Sequence, residues 1–349
     1  MVKRLILGFL FMGLFYCASS APAHGQTWNC SEPWNCSWYS FSSGCVPTPP
    51  KTSYNCQYEG PWAQLCQYLT IWCAPSAAPV ETRCLTCGSG KPSGGAPISL
   101  VSGNTYIEET DIRIPGLSSG IALDRTWNSM WPSTQTSFQV GLFGPNWRST
   151  YEERIFIGTD NYIKYSRSDG SFWSFGYAGA AYAPVAPANA TATLTVDSNN
   201  TNWTLTFQNG EQRIFNYTSG SLTSIIDRNG NTTQLTYDSL NRLVTVADPG
   251  GRHLYFGYLN NSSYLVTSVT SDVGISLSYA YDGQGRLIQV TKPDQTTLSF
   301  TYDSNSLITA VKDTAGKILE SHTYDNKGRG LTSSRANGVE SVTVSYPNQ

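Results

Sequence analysis

The chain has 349 residues, 40% of them hydrophobic, and its 22 lysines and arginines against 24 aspartates and glutamates leave a net charge of −2. That length allows two or three domains with cores of their own, and the composition excludes a disordered or collagen-like chain. The basic residues form no run or stripe, which excludes the electrostatic footprint of a nucleic-acid partner.

Lys3 and Arg4 precede an apolar run from Leu5 to Tyr16, and small residues follow, with Ala21-Pro22-Ala23 and Ala23-His24-Gly25 as cleavage sites. This is the pattern of a secretory signal peptide over residues 1–25, so the mature chain is expected to be secreted, periplasmic or on the cell surface. The run of about a dozen apolar residues falls short of the ~20 that a spanning helix needs, and no membrane span is expected after cleavage.

Residues 26–87 hold Cys30, Cys36, Cys45, Cys56, Cys66, Cys73, Cys84 and Cys87, while the longer remainder holds none. An even number packed into a short exported segment reads as a disulfide framework, although spacing alone does not choose the pairing. Tryptophans accompany them, Trp34 and Trp62 among them. They either form a miniature core against the bridges or offer flat apolar platforms on which a glycan ring stacks.

Residues 88–97, a glycine, serine and proline run, read as a linker. From 98 to 216 the chain alternates polar and apolar side chains in short runs, such as Asp111-Ile-Arg-Ile114 and Ile121-Ala-Leu-Asp-Arg-Thr-Trp127, and these are expected to be strands. Asn209-Gly210 predicts a tight two-residue hairpin turn between two further strands. The Ala- and Pro-rich stretch from 178 to 191 predicts a surface loop. No window beyond the leader keeps helical spacing for more than about two turns, so the expected class is all-β.

Residues 217–349 contain an internal repeat. Tyr217, Tyr237, Tyr258, Tyr281, Tyr302, Tyr324 and Tyr346 follow one another at spacings of 20, 21, 23, 21, 22 and 22 residues. Several open the same phrase: Tyr237-Asp238-Ser-Leu-Asn-Arg242-Leu243, Tyr281-Asp282-Gly-Gln-Gly285-Arg286-Leu287, Tyr302-Asp303-Ser-Asn-Ser, and Tyr324-Asp325-Asn-Lys-Gly328-Arg329. A second Asp-, Asn- or Gly-rich turn falls midway, so each unit reads strand, turn, strand, turn, with strands of roughly six to eight residues. Single hairpins are marginal in water, so the units are expected to stack edge to edge into one antiparallel sheet with a column of neighbouring tyrosines. The aspartates are expected to open the outer turns by accepting backbone N–H bonds, and Gly285 and Gly328 to supply positive φ.

These Tyr-Asp phrases resemble the YD repeats of the Rhs (rearrangement hotspot) proteins. The preceding Leu123-Asp-Arg125-Thr-Trp127-Asn128-Ser129, Gly144-Pro-Asn-Trp147 and Asp169-Gly170-Ser-Phe resemble the β-rich domain that stands before the repeats in bacterial members. The resemblance covers residues 98–349. It implies an open part of a spiral β-sheet shell, of the kind that encloses an enzymatic toxin in the polymorphic-toxin members. About six units are present, the last truncated, and no effector sequence is seen, so the expectation is a non-enzymatic scaffold or interaction protein, the front portion of a toxin-delivery type protein. Its expected partner is a protein, or a downstream shell or effector segment, at the open sheet edge; cell-surface glycan binding or adhesion is the rival reading.

No catalytic residue, cofactor or metal site is expected. His253 and His322 each precede a repeat tyrosine some three units apart, which predicts a surface or sheet-face role, because catalysis requires base, nucleophile and orienting partner to converge. Cys84-Leu-Thr-Cys87 runs into the glycine linker, not into a helix, and reads as a structural disulfide. The repeat aspartates raise a calcium question, but one carboxylate per hairpin suits turn capping better.

Overall fold

The computed structural model describes residues 97–346 apart from 119, 131–139, 159–161, 179–180, 188 and 336–337, together with the short strands Cys45–Val46, Trp72–Cys73 and Ser93–Gly94. The chain divides into two compact units, residues 1–78 and 79–349. In the first, Cys45–Val46 pairs antiparallel with Trp72–Cys73, which sets the backbones of Cys45 and Cys73 opposite each other. The leader, Trp34, Trp62, Cys30, Cys36, Cys56, Cys66, Cys84 and Cys87 lie outside the described residues.

The second unit is built of strands, with no α-helix among the described residues. Nineteen strands, from Arg154–Ile157 to Glu340–Thr343, form one antiparallel sheet in which every strand pairs with its neighbours in sequence. The sheet starts well ahead of Tyr217 and crosses residues 216–217 without an edge. It also rolls. Ile155 N–H donates to the Gly220 carbonyl at 3.0 Å, and Arg154 bridges to Ser221, so the first strand meets the turn that follows the seventh, Gln212–Asn216. The inherent twist of strands, accumulated over seven of them, brings the sheet round on itself.

Three local expectations are corrected. Ser93–Gly94, the end of the glycine-rich run, is paired with Ile98–Ser99 instead of free, and Gly94 leaves room for Val342, 3.3 Å from where a Cβ would stand. Within 178–191, Tyr182–Ala186 is a strand, because Tyr182 is buried against Tyr177 and Trp203 at ring distances of 5.2 and 5.7 Å. The turn at Asn209-Gly210 is longer than two residues: Gly210 N–H donates to the Phe207 carbonyl, Phe207 N–H to the Glu211 carbonyl, and only Gly210 has positive φ, at 84°. This is a type I turn closed by a bulge residue. Most repeat turns take five residues between strands, and the repeat strands are four to seven residues long, shorter than the sequence suggested.

A β-bulge recurs immediately before Tyr237, Tyr258, Tyr281, Tyr302 and Tyr324. Each tyrosine then reaches back to the strand before it. The hydroxyls of Tyr237, Tyr258, Tyr281, Tyr302, Tyr324 and Tyr346 donate to the carbonyls of Leu222, Leu243, Val266, Leu287, Ile308 and Gly330 at 2.6–2.8 Å. The tyrosines are therefore equivalent, but they are not ring neighbours. Two strands separate one from the next, roughly 9–10 Å at sheet spacing, beyond the reach of ring contact.

Alternation puts one face of the sheet inward. Its cross-strand pairs are Leu235 with Val246, Phe256 with Val269, Tyr279 with Val290 and Phe300 with Val311, all buried. The next unit breaks the series with His322 opposite Ser333. The His322 side chain is fully buried, neither ring nitrogen has a hydrogen-bond partner, and Glu320 Oε2 stands 3.7 Å from Nε2. Of the surface or sheet-face role expected of His322, the inner sheet face is what the structure shows.

Two substitutions test this account. Tyr258→Phe keeps the ring and deletes the hydroxyl bond to Leu243, and is expected to lower stability by about 1 kcal/mol in chemical denaturation. His322→Phe restores the aromatic found at Phe300 and removes two unmet ring nitrogens, and is expected to raise the thermal midpoint by roughly 2–4 °C. A lowered midpoint would mean that the imidazole is satisfied in solution.

Candidate functional site: the junction between the inner sheet and the repeat wall

The inner face of the rolled sheet is covered by a three-stranded sheet formed from Tyr106–Ile114, Ile121–Asn128 and Trp147–Ser149. Large side chains of this sheet, and Phe143 ahead of its third strand, meet aromatic residues of the repeats. Phe143 packs on Tyr279 at 4.7 Å, Trp147 on Phe300 at 5.3 Å, and Trp127 on Tyr324 at 6.3 Å between ring centroids. Backbone joins them too, through Gly330 N–H to the Gly103 carbonyl at 2.8 Å. Gly330 is required there, because a Cβ would stand 2.4 Å from Thr105 Oγ1 and 2.9 Å from Ile98.

At the centre of this junction lies a charge pair with no solvent access. A bulge between Thr110 and Ile112 turns Asp111 inward, where its carboxylate takes bonds from Arg125 Nε and Nη2, the latter at 2.8 Å, and from the Tyr279 hydroxyl at 2.7 Å. The Arg125 guanidinium also lies 4.6 Å from the Trp147 ring centroid, with Phe143 and Tyr279 at 5.5 and 5.6 Å. Both charged side chains are 0% exposed. Burial alone would pull the guanidinium down, but the adjacent Asp111 carboxylate more than offsets this and holds its charge. Burial drives the Tyr279 phenol well up, so it remains a donor. Sequence reasoning missed this network. Its one visible trace is Tyr279, a hydroxyl where Phe256 and Phe300 stand in adjacent units.

The outer turns form a second device. In the turns opened by Asp238, Asp282, Asp303 and Asp325, Oδ1 accepts N–H bonds from the residues two and four positions on, at 2.8–3.0 Å. The fourth position of these turns has positive φ, in Asn241 (58°), Gly285 (74°), Ser306 (64°) and Gly328 (78°). Where arginine follows, its Nε donates to Oδ2 at 2.7 Å, as Arg242, Arg286 and Arg329 do. The same guanidinium then covers the tyrosine of the next unit, Arg242 on Tyr258 at 4.5 Å, Arg286 on Tyr302 at 4.8 Å and Arg329 on Tyr346 at 4.1 Å. Arginine thus fills the gap between tyrosines where ring-to-ring contact was expected. Burial works against ionisation of Asp238, Asp282 and Asp325, but the bonds from backbone N–H and arginine outweigh it and hold these carboxyls below the usual range.

His253 Nδ1 sits 3.1 Å from Asp272 Oδ2 at a partly exposed position. Among the described residues no group of three or more His, Cys, Asp or Glu side chains is placed to hold a metal ion, and no helix is long and apolar enough to cross a membrane. The junction joins paired charges to an apolar seam, and within it Arg125 Nη1 and Trp127 Nε1 are buried without a hydrogen-bond partner.

Asp111→Asn isolates a buried guanidinium and is expected to cost ~3–5 kcal/mol, read by urea denaturation, with Arg125→Met in the same chain recovering part of the loss. A loss below ~1 kcal/mol would show that water reaches the pair.

Residues 95–175 match the family described as a domain of unknown function, DUF6531, and residues 218–253, 265–297 and 281–318 match the RHS repeat. The tRNA nuclease WapA of Bacillus subtilis strain 168 is 29% identical over 153 residues, 44% of this chain, and the tRNA3(Ser)-specific nuclease WapA of Bacillus spizizenii is 31% identical over the same length. The chain spans 6% of the length of these relatives. Among solved structures, TcdB2-TccC3 is 14% identical with a TM-score of 0.26, over 68% of this chain and 11% of that one. The Tc holotoxin pore of Photorhabdus luminescens is 12% identical with a TM-score of 0.26, over 67% and 10%. The chain thus carries RHS repeats within residues 218–253 and 265–318, with a DUF6531 segment ahead of them, which is the family resemblance that the Tyr-Asp phrases led one to expect.

Proposed function

We propose that this chain is a non-enzymatic scaffold of an exported, toxin-related Rhs protein. In this reading the repeat sheet is the wall, residues 97–153 are its inner cover, and the tRNA-nuclease activity named for the relatives belongs to parts of those proteins that this chain does not match. The observation that carries the reading is the use made of the reactive side chains. Asp111, Arg125 and Tyr279 are spent on one another, and the Asp, Arg and Tyr residues of the turns are spent on the backbone and on the next unit. Groups bonded in this way are engaged by the fold, and Arg125 Nη1, which has no partner, is buried away from solvent.

The proposed partner is a protein segment added as a further strand. Glu340–Thr343 pairs with Gly330–Arg335 on one side and has no strand on the other among the described residues, and such an edge is a template for pairing.

The full chain, purified and incubated with mixed tRNA and with general peptidase and glycosidase substrates, is expected to show no turnover above buffer. Turnover that copurifies with the chain and disappears in His253→Ala or His322→Ala would overturn the proposal.

A further inference from the structure

A groove of about 750 Å³ opens where the first turn of the rolled sheet meets the outer turns of the repeats. That is within the ~300–1,000 Å³ typical of small-ligand sites. The rolled sheet contributes Phe156 and Phe172, packed edge to face at 6.0 Å, and the repeat turns contribute Leu240 and Tyr264, 43% and 53% exposed. The turn that carries Tyr264 is longer than its counterparts. From repeat tyrosine to next strand is eight residues at Tyr258 to Val266, against six at Tyr237 to Leu243, Tyr281 to Leu287 and Tyr302 to Ile308. Arg242 fixes this turn, sending Nη1 to the carbonyls of Asn260 and Ser263 at 3.0 and 2.9 Å, so that an aromatic ring is held at the mouth.

Arg148, Arg154 and Arg242 line the groove against Glu152 and Glu153. Asp238 answers Arg242, and Arg213, which Glu211 shares, answers Glu153. Glu152 is then the lining carboxylate left to Arg148 and Arg154. Its Oε1 stands 4.0 Å from Arg148 Nη1 and already accepts the Leu142 N–H at 2.6 Å. Bonds to carbonyls hold the two arginines in place, from Arg148 Nη1 to Trp147 at 3.0 Å and from Arg154 Nη2 to Ser219 at 2.6 Å. A carbonyl orients a guanidinium but does not cancel its charge.

Burial works against the charge of a guanidinium. In Arg125 and Arg213 adjacent carboxylates reverse that effect. In Arg148 burial prevails over Glu152 and pulls the group down to about 10, with Arg154 acting in the same direction, and burial lowers Arg154 as well. Burial also pushes the Glu152 carboxyl up, against the pull of Arg148. The two arginines therefore carry more positive charge than the carboxylates of the groove answer. A ligand that corrects this brings one negative charge, and the phenylalanine and tyrosine rings suit an apolar body behind it. A peptide would bring backbone N–H and C=O groups that need partners of their own.

We propose that this groove binds an alkyl monocarboxylate, with its carboxylate answering Arg148 and Arg154 and its chain lying along Phe156, Phe172 and Tyr264. The proposal stands independently of the scaffold reading, which only substrate turnover would overturn. The test is calorimetric titration of the full chain with decanoate, decanol, decyltrimethylammonium, acetate and hexaglutamate, the alkyl compounds below their micelle-forming concentrations. Decanoate is expected to bind at least about tenfold more tightly than each of the others, and less tightly as salt is raised. Arg154→Gln should weaken decanoate binding by about tenfold through loss of a charge-assisted contact. Arg154→Lys keeps the charge and should retain most of the affinity, which separates the charge from the bond to Ser219. Tyr264→Ala, at an exposed position, should weaken binding several-fold at an unchanged thermal midpoint. Absence of decanoate binding, equal binding of decanol, tighter binding of hexaglutamate, or an affinity unchanged in both Arg154→Gln and Tyr264→Ala would each overturn the proposal.

Discussion

The bond from a tyrosine hydroxyl to a carbonyl of the preceding strand is the contact on which the repeat region depends. From Tyr237 to Tyr324 it recurs at the end of every second strand and beside a bulge, so each of these hairpins is pinned where its ladder is interrupted. A bulge adds local twist, and regularly spaced bulges add it in the same sense each time. The repeat sheet is therefore twisted instead of flat, and with the roll of the first seven strands it has an inner face. That face could not stay dry unaided. Residues 97–153 cover it, and the Asp111, Arg125 and Tyr279 network fixes the cover at one register, since moving it would strand a buried charge.

Much of the wall was legible because its information is local. The tyrosine period, the Asp-opened turns and the alternation within strands are written inside windows of about twenty residues, and all describe backbone pairing between adjacent segments. What escaped was long-range or depended on strand parity. Asp111 and Tyr279 are 168 residues apart, and a bulge turns Asp111 inward against simple alternation. The position of His322 on the inner face follows from counting back two from Tyr324, as Phe300 does from Tyr302, but its burial follows from the cover and not from its own strand. The ring column failed on dimensions: equivalent residues in two-strand units sit too far apart to touch, and only a long side chain such as arginine spans the gap.

A repeat also makes its exceptions readable. Six near-equivalent units supply an internal standard against which a single altered residue stands out, without reference to any other protein. Tyr279 in place of phenylalanine marks the buried charge network, and Gly330 marks the approach of the 98–105 segment. Each departure gives up some packing or capping that the standard unit has, and a specific contact or exposed surface accounts for it.

The strictly sequential order of the nineteen strands bears on how the chain reaches its fold. Strand pairing closes only short loops, so the wall can zip from any hairpin outward at low entropic cost. The cover is the opposite case, joined to the wall through such distant partners as Asp111 and Tyr279, 168 positions apart. Assembly thus separates into a fast local stage and a slow global one, and during the interval the inner face is bare and prone to sticking. A chain made from its N-terminus has the cover waiting before the wall exists, which shortens that interval.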